Sequence, residues 1–329
     1  MKIKKILMII RLFTCFLLYF SRLYAQDIFP NQFASASLGL SPAFTGTSVS
    51  SRASFLYRVQ YPTLTGTINS NFFSFDHNFD DDRNSIGFFI QTDRTSVASG
   101  GDFRILQAQV SYAYLLPANE YWRVKLGIAA GYGNQSLNSF NLIYGDQLAT
   151  TGFTGTPTQD NRLIGQSIDY FDVSAGALAY NEYAWIGASV FHIGEPRRDF
   201  LGSEFRVFRR YSGHLGIKIP IDEAEKHFIS TAAVYRLHNY THLLDAGVFY
   251  EIPVWQAGIW YRNLPIQTKG SQINLQTSFK HQGFRFSYSY GMPIGGLRGF
   301  GGTHEVGISF ALQKEAQEYR WNYVQMPLF

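Results

Sequence analysis

The sequence predicts an all-β protein, a transmembrane antiparallel β-barrel of about 14 strands. Three observations predict it: alternation of apolar and polar residues, an export-type amino terminus, and connections whose lengths sort by parity. The alternation is clearest near the carboxyl end. Ile273, Leu275, Thr277 and Phe279 alternate with Asn274, Gln276 and Ser278. Phe284, Phe286, Tyr288 and Tyr290 alternate with Arg285, Ser287 and Ser289, and Val306, Ile308, Phe310 and Leu312 with Glu305, Gly307, Ser309 and Ala311. A strand points successive side chains to opposite faces, so each segment carries one apolar face and one polar or small one. Recurring along an exported chain of 329 residues, 17% of them aromatic, the pattern places lipid outside and a polar lumen inside.

The amino terminus supports export. Lys2, Lys4, Lys5 and Arg11 sit in or beside an apolar run over residues 6–20. Arg11 interrupts it, whereas a spanning helix needs about 20 apolar residues. A signal peptide of residues 1–25, with Gln26 as the first mature residue, is the expectation. Five of the 28 basic residues and none of the 24 acidic ones lie in that stretch, leaving 23 against 24 in the remainder, a net charge of −1. The basic character of the whole chain therefore gives no argument for a nucleic-acid partner. The single cysteine, Cys15, lies inside the apolar run without a lipidation context, so the mature chain is expected to use neither disulfide nor thiol chemistry.

Residues 26–50 follow. Phe29, Phe33, Leu38 and Phe44 are too apolar for a free linker, and Pro42 and Gly46 punctuate a turn. This segment is expected to pack against the periplasmic mouth or the lumen, with Pro42 and Phe44 near Arg58. The barrel is expected over residues 51–312. Its strands are 51–61, 71–79, 85–94, 103–115, 121–136, 171–180, 183–192, 211–220, 227–237, 241–251, 254–263, 271–280, 284–291 and 304–312. Most have the length a tilted strand needs to cross a bilayer. Connections after even strands are all short. Those after odd strands are mostly longer, up to residues 137–170, with 238–240 the exception. A barrel with both ends in the periplasm sorts its loops this way; a soluble sandwich has no reason to. Residues 228–236 mix their faces and 186–191 are apolar on both. Residues 313–329 continue as a periplasmic carboxy-terminal extension.

On the chosen inward faces lie Arg58, Gln60, Arg123, Lys125, Asp245, Glu251, Gln256, Arg262, Lys280, Arg285 and Glu305; in strand one, Phe55, Tyr57, Val59 and Tyr61 point outward. Charges facing lipid would cost several kcal/mol near the midplane, which supports the phase. The bland reading, a plugged and salt-bridged interior, is preferred to a selective pore. No metal, cofactor or catalytic residue is expected. The eight histidines are scattered, Asp80, Asp81 and Asp82 lack a calcium loop's other ligands, and Gly295, Gly296, Gly299, Gly301 and Gly302 precede no helix. No Ser, His and acid group falls on one lumen face.

The segment after the export signal, Gln26-Asp27-Ile28-Phe29-Pro30-Asn31-Gln32-Phe33, leads to Leu40-Ser41-Pro42-Ala43-Phe44-Thr45-Gly46 and then to Tyr57-Arg58-Val59-Gln60-Tyr61. Thr303-His304-Glu305 opens the last strand. This resembles the PorP/SprF family of type IX secretion proteins of the Bacteroidota, with Ser41 in place of the usual Asn and Tyr61 in place of the usual Trp. The resemblance covers residues 26–312 and marks Pro42, Ala43, Gly46, Tyr57, Arg58, Gln60, His304 and Glu305. It implies a non-enzymatic outer-membrane component of secretion or gliding motility that helps deliver or anchor a secreted adhesin-like cargo. Its implied partners are that cargo and periplasmic lipoproteins of the machinery, alongside outer-membrane lipid. Two other functions compete: a diffusion channel or hydrophobic-substrate transporter, and an enzyme acting at the rim.

Overall fold

The computed structural model describes residues 29–48, 51–64, 66–79, 83–96, 101–117, 121–138, 143–159, 166–198, 206–264, 271–294 and 298–312. The expected signal peptide, the acidic run at 80–82, Gly295, Gly296 and the extension 313–329 lie outside these residues. Before the first strand come a single helical turn, α1 (Ser37–Leu40), and a 3-10 turn (Pro42–Phe44). The strands are β1 (Arg52–Gln60), β2 (Ile68–Asn78), β3 (Asn84–Ser96), β4 (Asp102–Pro117) and β5 (Arg123–Asn138). Next come β6 (Leu148–Ala149), β7 (Gly152–Phe153), β8 (Gln166–Tyr180), β9 (Ala184–Phe191), β10 (Arg210–Pro220) and β11 (Phe228–His238). The last are β12 (Thr241–Ile252), β13 (Trp255–Leu264), β14 (Gln272–His281), β15 (Phe284–Pro293) and β16 (Thr303–Ala311).

Fourteen of these strands, all but β6 and β7, form one closed antiparallel barrel in chain order. β1 closes it against β16, in register from Arg52 opposite Ala311 to Gln60 opposite Thr303. Closure leaves no unpaired edge, the condition for carrying a polar backbone through hydrocarbon. The face pattern follows the sequence. Phe279 is 58% exposed and its neighbour Ser278 2%; Leu275, Phe286, Val306 and Ile308 point outward while Asn274, Ser289 and Glu305 are buried.

Both ends of the strand sequence, Arg52 and Ala311, lie at one rim. The same rim carries the tight connections β8–β9, β12–β13 and β14–β15. The opposite, long-loop rim carries the connection from β5 to β8, which includes a small hairpin with Leu148 opposite Phe153. The turn Asn239–Tyr240 is tight despite lying at that rim.

Several strands run beyond their expected limits. β8 starts at Gln166 rather than 171, and β5 ends at Asn138 rather than 136. Their ladder continues in register to Leu137 opposite Gln166. The connection read as one structureless loop is thus shortened at both ends and holds a strand pair. Among the added residues of β8, the exposed face carries Ser167 and Asp169 rather than apolar side chains, so it escapes a search for an apolar outer face. Tyr61, expected to face outward, has left β1. It adopts φ 55°, is buried, and its hydroxyl accepts a bond from Gln272 at 3.3 Å.

Candidate functional site in the lumen

Residues 29–48 fill the barrel. Phe33, Ala36, Leu38, Leu40, Ala43 and Phe44 are all buried, and their partners come from inward positions on opposite sides of the wall. Apolar side chains surround them: Leu56 on β1, Phe72 on β2, Phe89 on β3, Trp185 on β9, Val234 on β11, Phe249 on β12 and Trp260 on β13 belong to the same buried cluster. Phe33 lies on Trp260 with ring centroids 4.8 Å apart, and Phe44 sits 4.8 Å from the His214 ring and 6.0 Å from Trp185. Aromatic pairs at these distances add to what burial alone contributes.

A segment this short leaves many backbone groups without secondary-structure partners, and each would be costly in a dry interior. The wall supplies partners. The Glu305 carboxylate accepts the N–H of Asn31 at 2.7 Å and of Gln32 at 2.9 Å. Arg262 donates to the carbonyls of Phe29 and Pro30 at 2.9 and 2.7 Å. Arg210 donates to Gly39 and Ser189 to Leu40, at 2.9 and 2.6 Å. Lys125 donates to the Gly46 carbonyl at 2.7 Å, and Asp76 accepts the Gly46 N–H at 2.9 Å. Thr45 and Ser111 share a hydroxyl bond of 2.7 Å.

Three of the charged anchors, Glu305, Asp76 and Arg262, are neutralised in turn. Glu305 pairs with Arg58 at 3.1 Å and Asp76 with Arg52 at 2.9 Å; Asp245 takes both Arg262, at 3.2 Å, and Arg236. Arg236 also stacks over the Phe29 ring at 4.3 Å. Charge-assisted bonds of this kind are stronger than neutral ones.

The family-motif turn sits on a glycine floor. Ser41 caps the 3-10 turn by accepting the Ala43 N–H. A Cβ at Gly127 on β5 would lie 2.4 Å from the Ala43 nitrogen, and one at Gly176 on β8 would lie 2.2 Å from the Ser41 hydroxyl. Any side chain there would displace the segment. Gly46 itself has φ +62°, a conformation open to glycine at little cost.

The residues marked in the sequence therefore divide. Pro42, Ala43, Gly46, Arg58, Lys125, Asp245, Arg262 and Glu305 converge on the internal segment. Glu251 and Arg285 belong to a second group with Lys218, Lys280 and Gln256; Lys280 meets Glu251 at 2.6 Å. Arg123 is half-buried at the short-turn end of β5, and Gln60 half-buried at the long-loop end of β1. Tyr57 points outward, and His304 bonds the Tyr288 hydroxyl at 2.8 Å. The expected neighbourhood of Arg58 is corrected. It holds the Asn31–Gln32 end through Glu305, while Pro42 and Phe44 pack on β5, β8, β9 and β10.

Sequence reasoning missed Trp185, His214, Trp260, Asp76, Ser189 and Arg210. Gly127 and Gly176, at inward positions of neighbouring strands, were the available signal for a chain packed on the wall. Among the described residues, no group of three or more His, Cys, Asp or Glu is placed to hold a metal ion.

A family model for the type IX secretion system membrane protein PorP/SprF matches residues 23–310. The chain belongs to the PorP/SprF family. No curated protein matches it. Among solved structures, the barrel is similar to the Ralstonia pickettii toluene transporter TbuX, 11% identical with a TM-score of 0.49, over 84% of this chain and 91% of that one. It is similar to the CymD monoaromatic hydrocarbon channel, 11% identical with a TM-score of 0.49, over 89% and 96%. It is also similar to BamA from Haemophilus ducreyi lacking POTRA domains 1-3, 12% identical with a TM-score of 0.43, over 79% and 70%. These likenesses are of the barrel fold. The PorP/SprF assignment and the closed 14-strand barrel together make this an outer-membrane protein of the type IX secretion class.

Proposed function

We propose that this PorP/SprF protein is a non-enzymatic outer-membrane scaffold that assists secretion or surface anchoring of an adhesin-like cargo and contacts periplasmic lipoproteins of the secretion or gliding machinery. Its export signal is residues 1–25, the short-turn rim faces the periplasm, and residues 313–329 extend into that compartment. The observation that carries the scaffold reading is the filled lumen. A conduit needs a path, whereas here the interior holds a segment whose backbone is bound by Glu305, Arg262, Arg210, Ser189, Lys125 and Asp76. The family membership supports the link to secretion.

The test is affinity capture of the full-length protein from its native outer membrane, followed by mass spectrometry. A secreted adhesin-like protein and periplasmic lipoproteins are expected at stoichiometric levels. Recovery of the barrel without such proteins, together with steady solute flux through it, would favour the channel reading.

A further inference from the structure

We infer that the internal segment runs through the barrel from rim to rim and delivers the mature amino terminus to the long-loop mouth, across the membrane from Ala311, where the last strand ends. The inference rests on the anchors at each end of the segment and on the expected export cut after Ala25.

At the carboxyl end of the segment, Gly46 is bound by Asp76 and Lys125. Each lies two residues from its strand's end at the short-turn rim, Asp76 from Asn78 and Lys125 from Arg123. At the amino end, Phe29 and Pro30 are bound by Arg262, Phe29 is covered by Arg236, and Asn31 and Gln32 are bound by Glu305. Each of these lies two residues from its strand's end at the opposite rim: Arg262 from Leu264, Arg236 from His238, Glu305 from Thr303. Three strands, β11, β13 and β16, thus agree on the height of the Phe29–Gln32 end of the segment.

Chain length then bounds where the mature terminus can go. A strand rises about 3.3 Å per residue and tilts by about 40°, so it climbs roughly 2.5 Å per residue along the barrel axis. Arg262 lies seven residues from Trp255, the short-turn end of β13, which places it roughly 18 Å above that rim by the same rise. Three residues, 26–28, separate Phe29 from the cut, and fully extended they span at most about 11 Å. They cannot return to the short-turn rim. A molecule docking on the long-loop face therefore meets the amino-terminal end of the plug, while the carboxy-terminal strand ends on the other side.

Removal of residues 1–25 leaves the chain without cysteine, so single cysteines report position cleanly. Three full-length variants are compared: Asp27→Cys, Thr151→Cys in the exposed hairpin turn at the long-loop rim, and Glu182→Cys in the exposed β8–β9 turn at the other rim. Each is treated with a membrane-impermeant maleimide on intact cells and again after detergent permeabilisation, and the mature mass verifies the cut. Position 27 is expected to label with position 151, at least tenfold faster than position 182 on intact cells. Labelling of 27 together with 182 would overturn the inference. So would a position 27 unreactive even after permeabilisation, or a mature mass retaining residues 1–25.

Discussion

Glu305 binds two backbone N–H groups of the plug and the Arg58 guanidinium at once, from a fully buried position. Removing one partner of a buried pair leaves the other charge uncompensated, at about 3–5 kcal/mol. Glu305→Ala is therefore expected to lower barrel stability by that order in urea unfolding from lipid vesicles, and Arg58→Ala,Glu305→Ala by less than the sum of the single changes. Additive effects would contradict the shared network. At the surface, Asp222 accepts the His227 N–H at 2.7 Å and the Lys226 N–H at 3.0 Å in the β10–β11 connection. These bonds, the one from His227 foremost, hold its carboxyl below the ordinary carboxylate range. A depressed folded value means the contribution is present above the unfolded pKa and is lost as pH falls through the folded one. The His227 amide resonance should titrate with a midpoint below the usual range, and Asp222→Asn should abolish that titration.

The strands β12–β16 were legible as elements because one of their faces meets lipid and must be apolar whatever the lumen holds. β11 was harder: Ala232 and Val234 are buried while Ile229 and Tyr235 are exposed, so both faces carry apolar residues. The reason is the plug. A lumen filled by Phe33, Leu38, Leu40 and Phe44 favours apolar wall positions, and Leu56, Phe72, Phe249 and Trp260 occupy them. An assumption of polar lumen and apolar exterior fails wherever the interior is packed rather than wet. The apolar excess of residues 26–50 was readable, but its wall partners are far away in sequence and no local pattern names them. Phe33→Ala should cost about 3–5 kcal/mol, as for other buried aromatic truncations, through lost contact with Trp260. Gly127→Val should displace the Pro42 turn without disturbing the β5 ladder. Both are read as faster proteolysis of the amino-terminal segment in a barrel that still migrates as folded in unheated gels; unchanged protection in both would contradict the packing.

At the scale of the whole molecule, the closed wall, the internal segment and its charged anchors describe a barrel built around a bound peptide. The wall provides the lipid-facing surface, and the plug converts a lumen into a packed core. On the long-loop face, the hairpin of β6 and β7 exposes Leu148 and Phe153. Protease added to intact cells should cut within residues 143–159 before it cuts the connection at 221–227, and the reverse order would invert the proposed orientation. The filled lumen is the central claim, and planar-bilayer recording tests it most directly. The intact protein is expected to show little current, and a form lacking residues 26–48 a steady, larger conductance. Equal and large conductance in both would contradict the plug and return the protein to the channel reading.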